Sequence, residues 1–86
     1  MSKSKHATVL RAIFAQPAHA GIRWSDIEAL LASLGAEIEE GAGWRVRVAL
    51  NGERAVFHRP HPQPTTDKGS VKSIRRFLIG AGVQPE

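Results

Sequence analysis

The spacing of apolar residues changes along this chain from helical to strand-like and back. Val9, Leu10, Ile13 and Phe14 form one stripe and predict a short helix over 6–15. Residues 1–5, rich in lysine and serine, read as a disordered basic arm before it. Pro17 and Gly21 break the pattern. Ser25 and Glu28 have the spacing of a capping box, which predicts a second helix starting there. Ile27, Leu30, Leu31 and Leu34 fall at i, i+3, i+4, i+7 and give it a full apolar face, and Gly35 ends it. Trp24 is expected to pack on the helix start. Residues 36–40 read as a short strand with Ile38 inward and Glu37 and Glu39 outward.

From Gly43 to Pro62 two alternating runs flank Asn51-Gly52. An Asn-Gly pair between such runs is a strong hairpin signal, because a type I′ turn needs positive φ at both central residues. The two-residue turn fixes the register: Leu50 faces Glu53, Val48 faces Ala55, Val46 faces Phe57 and Arg45 faces His58. Alternation then assigns the faces. Trp44, Val46, Val48, Leu50, Ala55 and Phe57 are expected on the core. Arg45, Arg47, Arg54 and His58, with Ala49 and Val56, are expected on the other face. Pro60, Pro62 and Pro64 rule out a further central strand and favour an extended segment. Ser70 is expected to cap a last helix from Val71 to about Ala81, frayed by Gly80 and Gly82. Val71, Ile74, Phe77 and Leu78 would form its buried face, with Lys72, Arg75 and Arg76 on the other side. The order is helix, helix, three antiparallel strands, helix, an α+β class in which the helices can cover only one sheet face.

The 86 residues make a single domain. There is no cysteine, which excludes a disulfide scaffold, a cysteine-ligated zinc site and a thiol nucleophile. No apolar run is long enough to span a membrane, and no apolar stretch follows the basic start as in a secretory signal. No membrane association and a cytoplasmic location are therefore expected. The net charge is +4, unevenly spread. Residues 1–43 carry four basic and five acidic side chains, a net −1; residues 44–76 carry eight basic and two acidic, a net +6. Such a basic half is the electrostatic footprint of a nucleic-acid binder, although charge also serves solubility.

No glycine-rich phosphate loop follows a strand. His58 and His61 stand three apart without a third ligand near in sequence, so no metal or other cofactor is expected. His19 reads as a surface histidine. A histidine beside arginines suits RNA cleavage: imidazole can take a 2′-hydroxyl proton near neutral pH, and guanidinium groups hold the phosphate. The same set also fits an ordinary solvated sheet face, with His58 at a strand edge.

The segments WSDIEALLASLG, GWR, HRPHP and GSVKSIRRFLIGAGV, in that order, resemble the HicA (YcfA-like) toxin family over about Arg23 to Val83. The helix over 6–15 is an addition to that 23–83 core. The resemblance implies a fold like a double-stranded-RNA-binding domain, αβββα, and a metal-independent mRNA interferase held inactive by a HicB-like antitoxin. The family's catalytic histidine stands in Gly-Ser-His at the start of the second strand, where this chain has Gly43-Trp44-Arg45. Arginine does not release its proton near neutral pH, so it cannot act as the base. His58, across from Arg45 on the neighbouring strand, is the candidate replacement, and His61 is the second. Arg45, Arg47, Arg54, Arg59, Lys72, Arg75 and Arg76 are the candidate RNA-binding residues. Three functions fit: a ribonuclease toxin, a non-catalytic RNA-binding module on the same fold, and a module whose basic face serves only an acidic antitoxin.

Overall fold

The computed structural model of the chain describes residues 2–85. Its elements are α1 (Ser2–Phe14), α2 (Trp24–Ser33), β1 (Glu37–Glu40), β2 (Arg45–Leu50), β3 (Glu53–His58) and α3 (Lys68–Gly80). The strands form one antiparallel sheet in the order β1-β2-β3. This is the αβββα order of a double-stranded-RNA-binding domain, with α1 added in front.

The hairpin follows from its turn. Asn51 and Gly52 have φ of 51° and 84°, the left-handed values that a type I′ turn requires. The pairing runs from Leu50↔Glu53 through Val48↔Ala55 and Val46↔Phe57 to Arg45↔His58, the register that the two-residue turn dictates. The tip is also tied down, since Asn51 Nδ2 donates to the Ala81 carbonyl at the end of α3 (2.9 Å). A Cβ on Gly52 would meet nothing within 4 Å, so only backbone strain opposes a side chain there. Gly52→Ala is therefore expected to cost about 1–2 kcal/mol, read from urea unfolding. An unchanged midpoint would mean that the turn relaxes without loss.

Val46, Val48, Leu50 and Phe57 point to one face and join Val9, Ile13, Ile27, Leu30, Leu31, Val71, Ile74 and Leu78 in a single core. All three helices thus lie on one side of the sheet. Phe57 is its aromatic centre, with edge-to-face contacts to Trp24 of α2 (6.3 Å between centroids) and Phe77 of α3 (5.7 Å). The other sheet face carries no helix.

The helix ends differ from the sequence reading in four places. First, α1 begins at Ser2 rather than His6, so residues 2–5, expected as an arm, are helical; Met1 lies outside the described residues. Lys5 Nζ reaches Asp26 Oδ1 in the first turn of α2 (3.3 Å), which favours the longer helix. Second, the Ser25–Glu28 capping box does not form. The cap is Arg23, without a side-chain bond. The orphan N–H of Trp24 donates instead to the Pro64 carbonyl (3.0 Å), and Glu28 accepts from Trp24 Nε1. Third, α3 is capped by Asp67, whose carboxylate accepts from the Ser70 N–H (2.8 Å). That bond holds the Asp67 carboxyl below the usual carboxylate range. Fourth, Gly82 does not fray α3. It closes it in a Schellman arrangement, with Val83 N–H on the Leu78 carbonyl (2.9 Å) and Gly82 N–H on that of Ile79 (3.0 Å).

A candidate nucleic-acid interface

β2 and β3 present their outward residues to the uncovered face. Arg45, Arg47, Arg54 and His58 are all exposed there, with Val56 between them. The Arg59 N–H donates to the Trp44 carbonyl (2.7 Å), so 44 and 59 form a hydrogen-bonded pair. The next pair inward, Arg45 with His58, is then of the non-hydrogen-bonded kind, in which opposed side chains stand closest, with Cα atoms about 4.5 Å apart. Guanidinium and imidazole are thus neighbours at the open end of the sheet.

The face is not uniformly basic. β1 places Glu37 and Glu39 on it, beside Ala49 and Arg47. Arg47 Nε meets Glu39 Oε1 at 3.6 Å, in the open. A polyanion is therefore repelled from the β1 margin and favoured along β2 and β3, toward His58. His58 is common to three hollows. One lies on the open face with Arg45, Arg47 and Val56. A second runs along the free edge of β3 against Gly69, Ser70 and Ser73 of α3. A third continues past the strand end to His61, Gln63 and Thr65.

The structure sorts the other candidates. Lys72, Arg75 and Arg76 of α3 line none of the hollows that include His58; Gly69, Ser70 and Ser73 do so instead. Arg59 faces the opposite side of the sheet end and is engaged. Its Nε donates to Glu28 Oε2 (3.0 Å), and Nη1 and Nη2 form a bidentate pair with Glu40 (3.0 and 2.7 Å). The hydrogen bonds from Arg59, and next its charge, hold the Glu40 carboxyl below the usual range, while Glu40 chiefly strengthens the hold of Arg59 on its proton. Arg59 thus fastens the end of β3 to β1 and α2. Trp44, expected in the core, is 52% exposed. It stands beyond the last inward-facing residue that the helices cover, and it stacks on His61, with centroids 4.1 Å apart and planes 19° from parallel. His61 thus lines a hollow with His58, held by an aromatic partner that strand alternation did not reveal.

The sequence model of the HicA toxin of bacterial toxin–antitoxin systems matches residues 24–83, from the start of α2 past the end of α3. The chain belongs to the HicA toxin family. No curated protein and no solved structure matches it. Membership places the chain with the toxins of toxin–antitoxin pairs. The matched span contains the whole sheet and its open face, whereas α1 lies before it. Among the described residues, no helix is long and apolar enough to cross a membrane.

Proposed function

We propose that this HicA-family toxin binds mRNA over β2 and β3 and cleaves it without a metal, in the cytoplasm, with His58 as the general base. The observation that carries this reading is the cross-strand pair of His58 and Arg45 on an uncovered basic face. An imidazole there can accept the proton of a 2′-hydroxyl near neutral pH. The freed 2′-oxygen attacks the adjacent phosphorus, the bond to the 5′-oxygen breaks, and solvent returns a proton to the leaving oxygen. Arg45 offsets the charge that gathers on the phosphoryl oxygens, and Arg47 and Arg54 hold neighbouring phosphates. The products are a 2′,3′-cyclic phosphate and a 5′-hydroxyl end. A HicB-like antitoxin would cover the same basic face. A second reading, RNA binding without cleavage, is favoured by Arg45 itself, which stands where the family carries its histidine.

The binding half of this proposal is tested by Arg47→Ala combined with Arg54→Ala. Removing two phosphate contacts is expected to weaken single-stranded RNA binding and to lower the slope of log affinity against log salt by about 0.7 per contact. The measurement is a fluorescence-anisotropy titration at several salt concentrations. Unchanged affinity and slope would place the RNA elsewhere.

A further inference from the structure

Trp44 is a large aromatic side chain half in solvent on a small domain. It pairs with no core residue. The His61 ring lies nearly parallel to its indole at 4.1 Å, and the tryptophan remains 52% exposed, with surface left for a further stacking partner. Prolines at 60 and 62 bracket His61 and restrict the backbone on both sides of it. It stands at the end of the sheet that the charge pattern favours for a polyanion. Arg45 and His58 stand at this end of β2 and β3, while Glu37 and Glu39 lie on β1, across β2 from His58. His58 lines both the open-face hollow and the hollow that continues to His61. A strand crossing the face and passing over the end of β3 therefore arrives at the stack.

Resting on the RNA-binding reading above, we propose that the Trp44–His61 stack is a platform for an unpaired nucleobase next to the nucleotide held by Arg45 and His58. The ligand class is single-stranded RNA. Aromatic faces bind bases by stacking whatever their sequence, and arginines beside them take the phosphates. A base inside a duplex is already stacked on both sides and cannot use the platform. The fold is that of a duplex-binding domain, but the end of this sheet is built for an unpaired nucleotide.

The test titrates wild type, Trp44→Ala, Trp44→Phe and the Arg47→Ala, Arg54→Ala double variant with a single-stranded oligoribonucleotide and with its duplex. Trp44→Ala is expected to bind the single strand about 5- to 100-fold more weakly and the duplex as wild type does. Trp44→Phe should retain most of the affinity. Tryptophan emission should be quenched by the single strand in wild type and unaffected in Trp44→Phe, because the remaining Trp24 is buried. Circular dichroism melts confirm that each variant folds. Single-strand affinity unchanged in Trp44→Ala, with no RNA-dependent quenching in wild type, overturns the platform, and Trp44 is then free to serve a protein partner. In that case a weakened arginine variant leaves the RNA-binding reading standing, whereas an unaffected one removes both.

Discussion

Leu31→Ala is expected to destabilise the protein by about 2–5 kcal/mol. Leu31 has no solvent exposure and lies in the core shared by the helices and the sheet. Truncation removes the transfer energy of the lost methyl groups and leaves a cavity that rigid neighbours fill only in part. At roughly 0.05–0.15 kcal/mol per residue, an 86-residue chain has a total stability of about 4–13 kcal/mol. The single substitution thus removes a large share of it and raises the unfolded population. Leu31→Met, which conserves volume, should cost less than about 1.5 kcal/mol. Urea unfolding of the three proteins checks this. A loss below about 1 kcal/mol for the alanine variant would be too small for a core leucine.

The sheet was legible because its signals are local. An Asn-Gly turn sets φ, the turn sets the register, and period two sets the faces, so Arg45, Arg47, Arg54 and His58 could be placed together before any tertiary contact was known. The apolar stripe of α2 and its Gly35 terminus were legible for the same reason. What escaped depends on contacts distant in sequence. Glu28 belongs to a convincing local capping pattern, but Trp24 and Arg59 claim its carboxylate, and Pro64 supplies the acceptor at the helix start. Arg59 reads in sequence as a candidate phosphate ligand, and its bonds to Glu28 and Glu40, 31 and 19 residues away, are invisible there. Trp44 follows the strand alternation by one step too many: its position is inward by parity, but the helices end before it. The cap of α3 was within reach, since Asp67 stands three residues before Ser70 and aspartate is a strong cap.

His58→Ala is expected to lower the rate of RNA cleavage about 10²- to 10⁴-fold, the range for loss of a general base, with RNA affinity largely kept. Under the proposed function, binding rests on several arginines spread over the face, whereas proton removal rests on one imidazole. Among the residues on the open sheet face His58 is the only imidazole; the carboxylates there, Glu37 and Glu39, stand at the β1 margin from which a polyanion is repelled. His61 lines an adjoining hollow, but its ring lies against Trp44. Its truncation should therefore act more weakly, through the stack. Arg45→His places a second imidazole opposite His58, at the position where the family resemblance puts the catalytic histidine, so under the proposed function activity should be preserved or raised.

The most direct test is cleavage of a mixed-sequence RNA in excess chelator by wild type, His58→Ala, His61→Ala and Arg45→His, with the product ends identified. The account predicts that wild type and Arg45→His cut and leave 2′,3′-cyclic phosphates, that His61→Ala cuts more slowly, and that His58→Ala cuts about 10²- to 10⁴-fold more slowly than wild type. Cleavage by Arg45→His alone would contradict it, and the natural chain would then be an RNA-binding toxin-family protein that has lost its base.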